Sequence, residues 1–186
     1  MISKMTIHDY TRIALMATLI SVSSYIAVPL PFSPVPVTAQ TLAIMLCGML
    51  LTTRQSFFTL TVYLLLGAIG LPVFAGGNAG LGVLFGPTGG FLIGFLLAAV
   101  FISFTKGDRP SLWRYGLVNA VGSLVVVNVV GVPWLAWATG MNLSQAFAVG
   151  FMPFLPGAVV KLLAATLLAW KLVPQLRLMP IGQSSH

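Results

Sequence analysis

The charged residues of this chain are few, and they lie in short clusters that separate long apolar runs. Only 6% of the 186 residues are charged and 58% are hydrophobic, whereas about 25% of the residues in a soluble domain are charged. So few charges cannot cover a soluble protein of this size with polar surface. The composition therefore argues against a soluble enzyme and a disordered protein. The net charge of +7 reflects a shortage of acids, which argues against a nucleic-acid-binding face.

The apolar runs predict six transmembrane helices in one all-α domain over residues 1–186. The predicted spans are 12–28, 38–51, 56–69, 88–104, 113–130 and 144–173. The first run superficially resembles a signal peptide. No small-residue cleavage site follows it, however, so we expect it to be retained as a span.

Basic residues fall almost entirely in alternate connections between the predicted spans. Eight of the nine lie before span one, between spans two and three, between spans four and five, or near the end of span six: Lys4, Arg12, Arg54, Lys106, Arg109, Arg114, Lys171 and Arg177. The other connections, 29–37, 70–87 and 131–143, carry no charge. Because basic residues concentrate on the cytoplasmic side, the pattern predicts a multi-pass protein of the cell (plasma) membrane with both termini in the cytoplasm.

Two of the uncharged connections are rich in proline or glycine and are themselves apolar. They are residues 29–36, PLPFSPVP, and residues 72–90, PVFAGGNAGLGVLFGPTGG. Irregular backbone near membrane depth must be buried in protein or line a cavity. These connections are therefore predicted to fold inward as a lid over an outward-facing cavity, and short surface turns are the alternative.

Lys161 is the one basic residue deep within a predicted span, about 15 Å before Lys171 along a helix. The two acids, Asp9 and Asp108, both belong to the predicted cytoplasmic face, so neither can pair with it inside the membrane. The lysine could be neutral, bond to backbone carbonyls or extend to the interface. The interpretation that we favour is that a ligand carboxylate supplies the missing negative charge.

Uncharged polar side chains complete the candidate site. Asn78 lies in the glycine-rich connection, and its amide can both donate to and accept from a ureido or amide group. Gln40 opens span two and Asn128 lies on span five, where a polar residue can also serve only to link helices. The same alternatives apply to Thr38, Thr41, Asn119 and Ser123.

Small residues at four-residue spacing mark faces on two spans where helices can approach closely. On span four, Gly86, Gly90 and Gly94 predict internal packing. On span one the face comprises Ala14, Ala17, Thr18 and Ser21, and both internal packing and docking of another membrane subunit remain open. The sequence has no Walker A or His-Glu-x-x-His motif. We therefore predict that the chain is not an enzyme, holds neither metal nor cofactor, and obtains any energy from partners.

Three segments resemble the BioY family of biotin transporters: residues 29–41 (PLPFSPVPVTAQT), 63–77 (YLLLGAIGLPVFAGG) and 84–91 (LFGPTGGF). The resemblance covers nearly the whole chain. It implies the substrate-binding (S) component of an energy-coupling factor (ECF) transporter, with six helices that bind biotin from outside. Such a component works with a transmembrane coupling subunit and two cytoplasmic ATPase subunits, although some members have been proposed to act alone.

The resemblance also implies roles for particular residues. The valerate carboxylate and the ureido ring of biotin suit Lys161 and Asn78, and the implied ligand-binding set further contains Phe74, Gly77, Gln40, Asn128 and Ala158. The coupling subunit would dock through span one near Ala14, Ala17 and Thr18.

The last helix departs from the family pattern, which resembles Pro-Gly-Asp-x-x-Lys. Here Ala158 occupies the position of the acid, three residues before Lys161. An acid there would lie one helical turn from the lysine. It could pair with the lysine in the empty state, or accept hydrogen bonds from the ureido N–H groups.

Three other functions remain open from the sequence. The chain could be an S component for another carboxylate-bearing vitamin. It could be a small intramembrane enzyme that uses Lys161 as a base or nucleophile, although no second catalytic group is evident. It could also be a structural subunit without a ligand.

Overall fold

The structure, a computed structural model, describes residues 5–178 and the side chains of residues 5–175. This part of the chain is mostly helical and carries one β-hairpin. In chain order the elements are α1 (Ile7–Ser23), β1 (Ala27–Leu30), β2 (Ser33–Thr38), α2 (Gln40–Leu50), α3 (Thr53–Ala68), a 3-10 turn (Ala75–Gly77), α4 (Leu81–Leu84), α5 (Gly89–Thr105), α6 (Leu112–Ala120), a π-helical segment (Val121–Val126), α7 (Val127–Thr139), α8 (Leu143–Gly150), a second 3-10 turn (Met152–Phe154) and α9 (Leu155–Leu178).

Two helical runs among the described residues are long and apolar enough to cross a membrane. They are Leu112–Thr139, with 28 residues, and Leu143–Gln175, with 33 residues. Two shorter helices, Gln40–Leu50 and Gly89–Thr105, are also apolar. At 1.5 Å per residue, α5 alone is about 25 Å long, close to the thickness of the hydrocarbon layer.

The prediction of an all-α fold was wrong for the proline-rich connection, which forms an antiparallel β-hairpin. Ala27 pairs with Thr38 and Leu30 with Ser33, with a register irregularity between Val28 and Leu30. A two-stranded sheet has two open edges, so its prolines need not donate ladder hydrogen bonds. The first predicted span was correspondingly placed too late, because α1 ends at Ser23.

The predicted end of span five was also wrong. We expected span five to end at residue 130, just before Pro133, but α7 continues through this proline to Thr139, and Gly140 ends it with a φ of 71°. A proline is tolerated inside a membrane helix when neighbouring helices compensate for the lost hydrogen bond. The connection that follows is therefore only three residues long, 140–142.

The helix ends that carry charge meet at one end of the molecule. Gln55 Nε2 donates to Asp9 Oδ1 at 2.6 Å, which joins the starts of α1 and α3. At the ends of α5 and α2, Lys106 Nζ donates to the carbonyl oxygen of Met49 at 2.8 Å and to those of Gly48 and Leu51. Lys4 and the side chain of Arg177 lie outside the described part of the chain.

The uncharged connections meet at the opposite end. The Gly76 N–H donates to Ser24 O at 2.9 Å, and the Tyr25 hydroxyl donates to Pro72 O at 2.7 Å. The glycine-rich connection is thereby held against the end of α1. Trp134 Nε1 donates to Gly86 O at 3.0 Å and ties the same connection to α7. These contacts agree with the predicted inward folding.

Small residues allow the closest helix contacts. A Cβ atom on Gly90 would lie 2.2 Å from Trp134 Cβ, and one on Gly94 would lie 2.8 Å from Val127 O. The small-residue face of span four therefore packs internally against α7, as predicted. The small-residue face on span one is only partly exposed to solvent. Ala17 is 3% exposed, whereas Ala14 and Thr18 are exposed.

Gly67 on α3 is required by the buried ring of Phe74. A Cβ at this glycine would lie 2.0 Å from Phe74 Cζ. We expect Gly67→Ala to displace the ring and lower the free energy of unfolding by about 1–3 kcal/mol. Gly82→Ala is the control, because a Cβ there meets no atom within 4 Å. Thermal unfolding of both variants in detergent tests this expectation, and equal midpoints would contradict it.

Candidate ligand-binding site

Two adjacent cavities lie between the hairpin and the helices. The first, which we call the lysine cavity, has a volume of about 80 Å³ and lies among β2, α2, α5, the π-helical segment and α9. Its walls are mainly apolar and aromatic. Its polar lining residues are Thr38, Thr41, Ser123, Asn128 and Lys161.

The second cavity, the loop cavity, lies under the glycine-rich connection and has a volume of about 290 Å³. Gln40, Phe74 and Asn78 line it, together with the residues that lead into α5. Ligand pockets usually have volumes of about 300–1,000 Å³. The loop cavity alone is therefore at the lower limit for a small organic ligand.

One wall is common to both cavities. It consists of five residues from β2 and α5: Val35, Pro36, Thr38, Phe91 and Phe95. An elongated ligand that lies along this wall could contact Lys161 at one end and Asn78 at the other. The wall is largely apolar, which suits a ligand whose middle part is hydrocarbon.

Lys161 is partly buried, and its ammonium group is directed towards the hairpin. Lys161 Nζ donates to the backbone oxygen of Thr38 at 2.9 Å, which joins α9 to the end of β2. Of the alternatives considered for this lysine, the bond to a backbone carbonyl is therefore present. An ammonium group has three N–H donors. One is used in this contact, so two remain for a ligand in the lysine cavity.

Ala158 lines the same cavity, three residues before Lys161. Asn128 also lines it, but Asn128 Nδ2 donates to Leu124 O at 3.0 Å, within its own helix. The π-helical segment has a wider turn than an α-helix and places Ser123 and Leu124 on the cavity wall. Sequence reasoning missed this segment, because the apolar pattern continues through it without interruption.

Asn78 holds a turn and is exposed at the loop cavity. Asn78 Nδ2 donates to Ala75 O at 2.7 Å, and the Asn78 carbonyl oxygen accepts from the Phe74 N–H at 2.9 Å. Among the described contacts, Asn78 Oδ1 accepts no hydrogen bond, so it can accept from a ligand. The side chain thus has both a structural role and a free acceptor.

The other residues that we predicted near Asn78 contact protein groups. Gln40 is buried, and its Nε2 donates to the Tyr63 hydroxyl at 2.6 Å. The buried Phe74 ring packs edge-on against Tyr63, with ring centroids 5.6 Å apart. Gly77 lines neither cavity and instead lies beside the Tyr25 ring.

The structure therefore divides the predicted ligand-binding set between two cavities. Lys161, Ala158 and Asn128 belong to one, and Asn78, Gln40 and Phe74 to the other. Sequence reasoning missed Phe151 and Phe154, which reach the lysine cavity from the turn before α9. These aromatic residues carried no signal in a chain where most residues are apolar.

The lining favours binding over catalysis. Among the residues that the structure describes, no acid, histidine or cysteine lines either cavity, so none of them is a neighbour of Lys161 for acid–base chemistry. In the described part of the chain, no cluster of three or more metal-ligating side chains occurs. One cation, neutral hydrogen-bonding groups and apolar walls suit an organic anion with a hydrocarbon middle part.

Comparisons with known proteins identify a family and several relatives that match most of the chain. The family model described as "BioY family" matches residues 1–178. A Lactococcus lactis subsp. cremoris protein named biotin transporter BioY2 is 40% identical over 168 residues, which cover 90% of this chain and 91% of that protein. The biotin transporter BioY of Rhizobium etli is 36% identical over 88% of this chain and 92% of its own length.

A solved structure is also similar. It is described as the S-component for biotin from an ECF-type ABC transporter, and it superimposes with a TM-score of 0.83 at 27% identity. The match covers 92% of this chain and 96% of the other. The family match and the two relatives agree over nearly the full length, and the chain belongs to the BioY family.

Proposed function

We propose that the chain is the membrane-embedded S component of an ECF-type biotin transporter and not an enzyme. The observation that carries this proposal is the pair of adjoining cavities with Lys161 in one and Asn78 in the other. Support comes from relatives named biotin transporters and from the similar structure of a biotin S-component. An S component for another carboxylate-bearing vitamin is the second candidate, because the lysine alone does not select the rest of the ligand.

Biotin would bind from the external side, beneath the hairpin and the glycine-rich connection. Its carboxylate would accept hydrogen bonds from Lys161, and its ureido N–H groups would donate to Asn78 Oδ1. The apolar side chain of the ligand would lie along the wall that both cavities share. This orientation satisfies the lysine charge and places hydrocarbon against Phe91 and Phe95.

For the membrane topology we propose six spans in one domain over residues 1–186. They comprise α1, α2, α3, α5 and the two long runs Leu112–Thr139 and Leu143–Gln175. Both termini would be cytoplasmic in the plasma membrane. The support is the clustering of charged helix ends at one end of the molecule and of uncharged connections at the other.

The energy for uptake would come from an ECF module of a transmembrane coupling subunit and two ATPase subunits. Docking on α1 would use the exposed Ala14 and Thr18. Ala17, which we expected to share this surface, is buried against the protein interior and cannot contribute to it. Small exposed residues allow a partner helix to approach closely.

Equilibrium binding of biotin to the purified full chain tests the proposed function. We expect saturable binding that is competed by unlabelled biotin and much less by other carboxylate-bearing vitamins. Equal competition by another vitamin would favour the second candidate. Absence of binding to any of these ligands by a folded chain would contradict both.

Asn78→Ala is expected to weaken biotin by about 1 kcal/mol, or roughly fivefold, because one hydrogen bond to the ureido ring is lost. The loss is limited because the residue is exposed and water can replace the ligand partner. Asn142→Ala is the control, since Asn142 caps α8 outside both cavities. Unchanged affinity in a folded Asn78→Ala protein would remove this residue from the site.

The topology proposal predicts opposite labelling of two single-cysteine variants in a Cys47→Ala background. Ser144→Cys, at the exposed start of α8, should react with an impermeant thiol reagent added to intact cells. Pro110→Cys, in the exposed connection before α6, should react only after permeabilisation. Gly107, in the same connection as Pro110, is not a suitable position for this cysteine, because its φ is 72° and a Cβ there would meet Arg114. Labelling in the reverse order would contradict the topology.

A further inference from the structure

A further cavity lies at the charged end of the molecule, away from the lysine cavity and the loop cavity. It is a groove of about 330 Å³ between α1, the end of α2 and α9. We call it the end groove. Its lining residues are Arg12, Leu15, Met16, Leu50, Leu51, Leu172 and Gln175.

The lining of the end groove is divided between a polar end and an apolar trough. Arg12 and Gln175 supply N–H donors, and the remaining residues are leucine or methionine. Leu15 is 65% exposed and Leu172 is 36% exposed, so the trough opens sideways on the outer surface of the helices. Arg12, Leu15 and Met16 share one face of α1 by their spacing.

Arg12 retains donors for a ligand. The nearby acid, Asp9, accepts hydrogen bonds from the Thr6 N–H at 2.8 Å and from Gln55 Nε2 at 2.6 Å. Both carboxylate oxygens of Asp9 thus accept hydrogen bonds from other groups, and Asp9 interacts with Arg12 through its charge. The guanidinium group of Arg12 has five N–H donors, and it forms no hydrogen bond to a protein group among the described contacts.

We propose that the end groove binds one anionic phospholipid, with its phosphate at Arg12 and Gln175 and one acyl chain along the leucine trough. Charge complementarity favours this occupant, because basic pockets between membrane helices on the cytoplasmic side bind acidic head groups. A lipid also matches a site with a cationic end, an apolar trough and a lateral opening. The inference uses the proposed membrane placement and does not depend on biotin binding.

Native mass spectrometry of the full chain in detergent tests the lipid site. The probes are palmitoyl-oleoyl phosphatidylglycerol and phosphatidylcholine, which share acyl chains and differ in net charge. We expect the anionic lipid to bind about fivefold more tightly, as one basic residue contributes near a membrane surface. Arg12→Ala should abolish this preference. Arg109→Ala, which removes an exposed charge outside the groove, should retain it.

Four further measurements make the outcome decisive. Arg12→Gln replaces Arg12→Ala if the latter unfolds, as judged by its melting temperature. Leu172→Trp, which fills the trough, should weaken both lipids. Glycerol 3-phosphate should not compete, because it lacks acyl chains, and competition by it would assign the site to a free phosphate. Equal binding of the two lipids, or a preference that survives in the Arg12 variant, would overturn the proposal. The proposal would also be overturned if the coupling subunit, but not lipid, protected the thiol of Leu15→Cys from a labelling reagent.

Discussion

Lys161→Ala is expected to weaken biotin by about 2–5 kcal/mol, the usual cost of truncating one partner of a buried, hydrogen-bonded charge pair. The same substitution should weaken biotin amide by only about 1 kcal/mol, because that ligand loses one neutral hydrogen bond. The difference between the ligands arises because, among the described residues, Lys161 is the only charged side chain that lines either cavity. Isothermal titration of both ligands against parent and variant measures it.

Two controls separate the charge from the other contacts of Lys161. Lys161→Met keeps most of the apolar volume and should reproduce the selective loss of biotin. Lys171→Ala removes an exposed charge from the same helix and should leave both affinities unchanged. Variants at position 161 also lose the bond to Thr38 O, so their melting temperatures must be measured. Equal losses for biotin and its amide would limit Lys161 to joining α9 and β2.

The helical part of this fold could be predicted because membrane helices depend on composition along a continuous segment. The predicted spans 38–51, 56–69 and 88–104 correspond to α2, α3 and α5 within about three residues. The hairpin could not be predicted in the same way. Val28 and Leu30 extend the apolar pattern of α1, and only pairing with residues 33–38 makes them a strand.

Pro133 shows how tertiary contacts override a local rule. Proline normally marks a helix end, and the predicted span five, 113–130, ends just before Pro133. In the structure, the next residue, Trp134, packs against Gly90 and donates to Gly86 O. These contacts to α5 and the connection before it hold the helix in place beyond the proline, and neither is visible in the sequence around position 133.

The candidate site was predictable where a residue type was unusual for its segment. Lys161 is conspicuous as a charge in an apolar run, and Asn78 as a polar residue in an uncharged loop. Their surroundings depend on distant parts of the chain. The carbonyl partner of Lys161, Thr38, lies 123 positions earlier, and the division of the site into two cavities depends on where β2 and α5 meet.

Ala158→Asp is expected to reduce the preference for biotin over biotin amide by about 2–3 kcal/mol. The introduced carboxylate would lie one helical turn from Lys161, in the same cavity, and would neutralise its charge. A ligand carboxylate at that position would then meet a second negative group, and like charges in an interface cost several kcal/mol. The asparagine of Ala158→Asn has nearly the same shape as the aspartate but no charge, so this variant should retain the preference for biotin over biotin amide.

The same titrations can contradict the proposed orientation of biotin. If Ala158→Asp tightens both ligands equally while Ala158→Asn does not, the introduced carboxylate accepts hydrogen bonds from the ureido N–H groups. The ureido ring would then lie in the lysine cavity. The ligand carboxylate would have to lie in the loop cavity, near Asn78, because the two polar ends of biotin are separated by its hydrocarbon chain. In that case Asn78→Ala should weaken biotin more than its amide, whereas a ureido contact at Asn78 predicts equal losses for the two ligands.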